Sequence, residues 1–492
     1  MTDSVRHDVL GTLLPGFPGP DAPDWVLDAL REGLGGVCLF GSNVESAGQL
    51  RDLTATLRAA NAEAVIAIDE EGGDVTRLFH RVGAPYPGNA VLGRIDDLDA
   101  TRATGRAVGE ALAAAGCTLT FAPDADVNSN PLNPVIGVRS FGTDPQAVAR
   151  HVAAWTEGLQ STGISACAKH FPGHGDTATD SHLALPVVDV PLSTLESRDL
   201  VPFDAAIAAR THAVMTSHIV VPQLDAEHPA TMSPTVLGML RNEFGFDGVI
   251  VSDALDMHGA SGVIGIPEAA VRALIAGCDL LCIGSETTES AFNDVVDAVV
   301  AAVGAGRLER TAIARASARV RGLRARGLAE LARHSALATH WHDALPTRQR
   351  VIETFDISAG VPEALTAGIG TVVRIETEAN IAVGESPWGP FTLQAAEYSW
   401  LAGARSFDVS AAATELLALP GPLLVVGKSL HRWPFATAAI DQLRERRDDV
   451  VVVDMGWPGD DRRYADIATF GASKLVGEAL ADLLEQWGAN HG

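Results

Sequence analysis

The chain has 492 residues, 47% hydrophobic and 20% charged, with 62 acidic against 36 basic side chains and a formal charge of −26. This is longer than one ordinary domain, and the apolar content is enough for a large core, which argues against a disordered chain. The negative charge would repel a phosphate backbone or an anionic bilayer, which argues against nucleic acid and membrane surfaces as partners.

The N-terminal MTDSVRHDVLGTLLPGFPGP has no continuous apolar stretch behind a basic start, so no secretory leader is expected. No apolar run approaches the ~18 residues of a membrane span. The cysteines are Cys38, Cys117, Cys167, Cys278 and Cys282, an odd number without CxxC spacing. They read as buried thiols of a reducing, cytoplasmic compartment. Lysine is scarce: only Lys169, Lys428 and Lys474 occur, so a lysine inside a motif carries weight.

In chain order, short apolar runs are predicted as strands at Gly36–Phe40, Ala64–Asp69, Thr118–Ala122, Ile164–His170, Ala213–His218, Val249–Asp253 and Asp279–Ile283. Helical patterns lie between them at Ser46–Ala60, Pro145–Leu159, Leu195–Ala209 and Pro267–Ala276. Such alternation predicts an α/β protein whose first part is a (β/α)8 TIM-like barrel, a fold of typically about 250 residues. A doubly wound sheet is the alternative, but no glycine-rich dinucleotide fingerprint follows the first strand. A helical connector follows, then strands at Thr371–Ile375, Leu423–Val426 and Val450–Asp454 with helices at Ala436–Arg446 and Ser473–Trp487. The expected division is a catalytic barrel over 1–340, a connector over 341–350 and a smaller αβα sandwich over 351–492.

The strand ends carry the chemistry. Five apolar runs close on polar residues: Asp69-Glu70-Glu71, Pro123-Asp124, Lys169-His170, Ser217-His218 and Ser252-Asp253. In a barrel, all C-terminal strand ends face one mouth, where substrates bind. Ile68–Arg77, IDEEGGDVTR, joins strand-end Asp69 to Arg77 through a glycine turn, and the pair suits the hydroxyls of a sugar. Asn133–Gly142, NPVIGVRSFG, carries Arg139 in a loop. Lys169–His182, KHFPGHGDTATDSH, is a shaped loop with three histidines, two aspartates and a lysine. Within it Asp180 and His182 are two apart and can converge, the carboxylate fixing the imidazole for proton transfer near neutral pH. Gly248–Met257, GVIVSDALDM, ends its strand on Asp253, which reads as a nucleophile, a metal ligand, a hydrogen-bond acceptor or a buried structural aspartate. Zinc is a weak reading of the histidine loop, because no HExxH or cysteine cluster supports it.

KHFPGHGDTATDSH and GVIVSDALDM resemble the signature loop and nucleophile strand of glycoside hydrolase family 3, in its β-N-acetylglucosaminidase branch. The resemblance covers about residues 8–325 and implies a barrel, with an αβα domain in many members. It implies cleavage of terminal β-N-acetylglucosaminides with retention, on small carbohydrate substrates, in cell-wall or chitin-fragment recycling, without metal or cofactor. By position it implies Asp253 as nucleophile, His182 as acid/base residue with Asp180 as its partner, and Asp69, Arg77, Arg139, Lys169 and His170 as the grip on the sugar. Where the branch often reads DQEGGRV, this chain has Asp69-Glu70-Glu71-Gly72-Gly73-Asp74-Val75, an acid in place of an arginine.

Three other readings stand beside it. One is a phosphorylase of the same family that passes the sugar to inorganic phosphate. Another is a Schiff-base aldolase on Lys169. The third is a non-catalytic sugar-binding barrel, which the intact Asp180, His182 and Asp253 disfavour.

Overall fold

The computed structural model describes residues 2–177, 185–334, 344–365, 368–378, 382–384, 386–394, 397–410 and 413–489. The chain forms two compact units, one of residues 1–71, 98–129 and 143–345 and one of 72–97, 130–142 and 346–492. Two early stretches of the chain therefore pack with its C-terminal part.

The first unit holds eight parallel strands: β1 (Leu13–Pro15), β2 (Gly36–Leu39), β3 (Val65–Ile68), β4 (Leu119–Thr120), β5 (Ser165–Phe171), β6 (Ala213–Thr216), β7 (Val249–Ser252) and β8 (Leu280–Gly284). Their order is β1-β8-β7-β6-β5-β4-β3-β2. The two ends meet, since the Gly35 amide ahead of β2 donates to the Leu10 carbonyl ahead of β1 at 2.9 Å. This is the expected TIM-like barrel. A Cβ on Gly36 would stand 2.1 Å from the Val65 carbonyl oxygen, so β2 can approach β3 at that point only through a glycine.

Side chains alternate across each strand, and the inward set fills the barrel as a packed core. Leu14, Cys38, Val65, Ala67, Leu119, Cys167, Met215, Val251, Leu280 and Cys282 form one cluster, joined by Val320 and Leu323 of the Arg310–His334 helix. All five cysteines are buried and free. Burial pushes the Cys117 thiol up to about 12, so it stays protonated. Helix starts follow from local chemistry. Ser46, Asp144, Ser233 and Thr288 each accept a backbone N–H of the first turn, and Pro145 and Pro234 occupy early positions where no N–H is needed.

The second unit is a six-stranded sheet of β9 (Asp356–Ile357), β10 (Thr371–Ile375), β11 (Arg405–Phe407), β12 (Leu423–Gly427), β13 (Val450–Asp454) and β14 (Ile467–Ala468), ordered β11-β10-β12-β13-β14-β9. Only β9 runs antiparallel, against β14. One face of the sheet, with Val372, Leu424, Val426, Val451 and Val453, packs on Val476, Leu480 and Leu483 of the Lys474–Ala489 helix. Val91, from the early part of the chain, joins that layer. The other face, with Val373, Val425 and Val452, packs on Ala436, Ile440 and Leu443 of the Pro434–Arg446 helix. Three layers result. Among the described residues no helix is long and apolar enough to cross a membrane.

His212, directly before β6, is buried with Nδ1 3.0 Å from Ser165 Oγ. Burial lowers its pKa to about 4, against about 6.5 for a free imidazole. A histidine held neutral by the fold contributes stability that is complete above pH 6.5 and is lost as pH falls from there toward 4. His212→Gln should therefore flatten the acid side of the stability curve by up to about 3 kcal/mol. Urea midpoints at pH 7.5 and 4.5 test this, and parallel losses in both proteins would refute it.

Candidate active site

Parallel strands share one direction, so the residues that follow them gather at one end of the barrel. There the described residues place Asp69 and Glu71 after β3, Asp124 and Asp126 after β4, Lys169 and His170 late in β5, His218 after β6 and Asp253 after β7. Lys169 Nζ lies 2.7 Å from Asp69 Oδ1 and 2.7 Å from Glu71 Oε1. Lys169 and Glu71 are almost fully buried, whereas the Asp69 side chain keeps 20% of its exposure. Asp69 and Glu71 are two apart on extended chain, so both point the same way and bracket the ammonium. That alternation was the available signal for Glu71, which the sequence reading did not select. An imine-forming lysine must first shed its proton, and two carboxylates at this distance are the surroundings of an ammonium. The aldolase reading therefore loses its nucleophile.

His170 is turned by a second buried acid. Its Nδ1 donates to Asp126 Oδ2 at 2.7 Å, and Asp126 Oδ1 accepts the His174 amide at 2.6 Å. Burial alone would raise the Asp126 carboxyl, but the charge and hydrogen bond of His170 bring it below the usual range. Asp126, another residue the motif reading passed over, thus fixes the ring of one histidine and the backbone of another. His174 is itself driven down to about 4, first by burial and then by His170, so it is neutral at pH 7. Asp124, Asp126 and His170 bring one donor atom each within 4.8 Å of one another, a spacing that could also hold a cation. Asp126 and His170 already satisfy each other there.

The loop that follows is shaped by contacts that leave no room for side chains. A Cβ on Gly175 would stand 1.7 Å from the Val127 carbonyl oxygen, and one on Gly173 would stand 2.7 Å from Asp199 Cβ. Arg198 clamps the loop from outside, donating to Asp176 Oδ2 at 2.8 Å and to Asp199. Thr177 Oγ1 lies 2.8 Å from His174 Nδ1. Asp180 and His182 fall in 178–184, outside the described residues.

Asp253 is half-buried, and its Oδ1 accepts the Ala254 amide at 2.8 Å. Wholly buried His218 donates from Nε2 to the Ala254 carbonyl at 2.9 Å, tying the residue after Asp253 to the neighbouring strand end. The charges converge on one point: burial raises the Cys167 thiol of β5, Lys169 opposes the rise, and Asp69 and Asp253 add to it.

Arg77 and Arg139 belong to the second unit. Arg77 donates to the carbonyls of Ala382 at 2.7 Å and Val383 at 3.1 Å. Arg139 is buried in the Gly137–Arg139 turn, donating to the Val135 carbonyl at 3.2 Å while its own carbonyl accepts Asn89 Nδ2 at 2.6 Å.

Residues 22–323 match the model of the glycosyl hydrolase family 3 N-terminal domain. The chain belongs to glycosyl hydrolase family 3. It is 42% identical over 263 residues to a β-hexosaminidase of Neisseria meningitidis serogroup C (strain 053442), covering 52% of this chain and 72% of that one. A β-hexosaminidase of Chromobacterium violaceum is 38% identical over 293 residues, covering 57% and 80%. Among solved structures, a family 3 β-N-acetylglucosaminidase from Paenibacillus sp. str. FPU-7 superposes with a TM-score of 0.83 at 30% identity, covering 99% of this chain and 97% of that one. The matched stretch contains Asp69, Lys169, Asp180, His182 and Asp253.

Removing the ammonium should leave two carboxylates facing each other in a largely buried site. Lys169→Met is expected to destabilise this family 3 protein by about 3 kcal/mol. The double variant Lys169→Met/Glu71→Gln should recover part of that loss. Denaturation of the three proteins measures the coupling, and strictly additive losses would show that the pair is not coupled.

Proposed function

We propose that this family 3 protein is a retaining β-N-acetylglucosaminidase acting on small carbohydrates in the cytoplasm, in recycling of cell-wall or chitin fragments. The observation that carries the reading is Asp253, a half-buried carboxylate at the end of β7, oriented through the Ala254 amide and at the same end of the barrel as the Lys169–Asp69–Glu71 and His170–Asp126 groups. The β-hexosaminidase relatives support the substrate class.

In this mechanism an Asp253 oxygen attacks the anomeric carbon as the bond to the glycosidic oxygen breaks. His182, oriented by Asp180, gives its proton to that oxygen, and the leaving sugar departs as an alcohol. The neutral imidazole then takes a proton from water, whose oxygen attacks the anomeric carbon and releases Asp253 as a carboxylate. Two inversions give retention. Asp69, Lys169 and His170 hold the hydroxyls of the sugar and so fix its anomeric carbon against Asp253.

Phosphate is the alternative acceptor. After the first step a glutamate in place of His182 would be an anion and would repel a phosphate dianion, whereas a neutral imidazole does not. Water ranks ahead, since the acidity of the chain offers no steering to an anion.

Two measurements test the reading. His182→Ala should slow substrates with poor leaving groups far more than activated aryl N-acetyl-β-glucosaminides, because an activated aryl oxygen needs little protonation. Equal losses on both would make His182 structural. Product analysis in millimolar phosphate should give free N-acetylglucosamine at an unchanged rate, and a sugar 1-phosphate as main product would replace hydrolysis by phosphorolysis.

A further inference from the structure

Residues 178–184, which include Asp180 and His182, lie between two anchored stretches of the first unit. Ahead of them, Asp176 Oδ2 accepts Arg198 Nη2 at 2.8 Å, and Thr177 Oγ1 donates to the His174 carbonyl at 3.0 Å. Beyond them, the Val220 amide donates to the Pro186 carbonyl and the Val188 amide to the Val220 carbonyl, both at 2.9 Å. Asp176 is four residues from Asp180, which limits their Cα separation to about 14 Å.

The Asp176 contact is built from inside the fold. The Leu200 amide reaches back five residues to the Leu195 carbonyl at 3.0 Å, a π turn of the kind that recurs at functional sites. Within that turn Arg198 meets Asp199, whose side chain is 1% exposed: Nε donates to both carboxylate oxygens at 3.1 Å and Nη2 to Oδ2 at 2.9 Å. Two donors of one planar group on one carboxylate fix the guanidinium before it reaches Asp176. Among the described residues the Asp176 carboxylate hydrogen-bonds to Arg198 alone. Arg198 and Asp176 keep 22% and 25% of their side-chain exposure, so their pairing adds little to global stability. What it fixes is the place of the chain at Asp176.

We infer that Asp176 and Arg198 are positioning residues for proton transfer. Arg198 holds Asp176, and Asp176 sets the point from which the chain runs on to Asp180 and His182. It thereby sets the reach of the imidazole to the glycosidic oxygen. The inference rests on the function proposed above, in which His182 is the acid. A proton donor works only within hydrogen-bond reach of its acceptor, and a displacement of about 1 Å can cost about a hundredfold in rate. Neither residue needs to touch the substrate; each acts through the dyad.

The test measures kcat/KM, which reports the first chemical step, on N-acetylchitobiose and on aryl N-acetyl-β-glucosaminides with leaving groups of graded acidity. Asp176→Asn removes the charge, keeps the side-chain shape and leaves the Arg198–Asp199 pair whole. It should cost about tenfold or more on N-acetylchitobiose and less than about threefold on the most activated aryl substrate, with a melting temperature close to that of the wild type. Arg198→Gln should show the same dependence on the leaving group. In a His182→Ala background Asp176→Asn should add little further loss, because its effect passes through the missing imidazole. No loss in Asp176→Asn, equal losses across the series, or an undiminished loss in the His182→Ala background overturns the inference. The level that fails is distinguishable. If His182→Ala itself slows every substrate equally, the proposed function loses its acid and the inference falls with it. If His182→Ala depends on the leaving group and Asp176→Asn does not, the positioning role alone is wrong.

Discussion

The candidate site depends on one buried cation. Lys169 brings an ammonium into the packed end of the barrel, where an unpaired charge would cost several kcal/mol, and Asp69 and Glu71 meet it at 2.7 Å each. The two acids come from the end of β3 and the lysine from β5, so the pair pins two strand ends across the intervening β4. Asp126, at the end of β4, binds the next residue, His170, and the amide of His174. The start of the histidine loop is thus set by ionic contacts on one side and by the Gly175–Val127 approach on the other. Held this firmly, the first residues of the loop present the His170 ring at a fixed place, which is what sugar positioning requires.

The second unit draws on early as well as late parts of the chain. Residues 72–97 and 130–142 carry Arg77 and Arg139, and they pack with the C-terminal sheet. Val91 sits in the same apolar layer as Val453 and Val476, and the Ala472 amide donates to Asp74 at 2.8 Å. Asp74 is the acid that departs from the pattern the family resemblance implies. Here it anchors the backbone of the C-terminal region, which gives the departure a structural reason. Without residues 346–492 the Arg77 guanidinium would lose the Ala382 and Val383 carbonyls.

Much of this was legible in the sequence, and the reasons are local. Seven of the eight barrel strands are apolar runs, five of them with polar ends, and helical patterns lie between them. Strand β1 escaped because Leu13–Pro15 is three residues long and ends on a proline, too short to show a period. The packing of 72–97 with the C-terminal part escaped because nothing near Val91 in sequence indicates a partner some 380 residues away, Val476 among them. Asp126 was overlooked for the same reason: its partners, His170 and the His174 amide, lie 44 and 48 residues on. Glu71 is different, because its two-residue spacing from Asp69 already put both on one side of the chain.

The central claim is that Asp253 forms a bond to the sugar. A 2-deoxy-2-fluoro glycoside with a good leaving group slows release of the intermediate more than its formation and should leave the enzyme labelled. Proteolysis and mass spectrometry should place the added sugar on the peptide containing GVIVSDALDM, at Asp253, and the label should disappear on prolonged incubation as activity returns. A label on another carboxylate, or steady turnover that inverts the anomeric centre, would contradict the account.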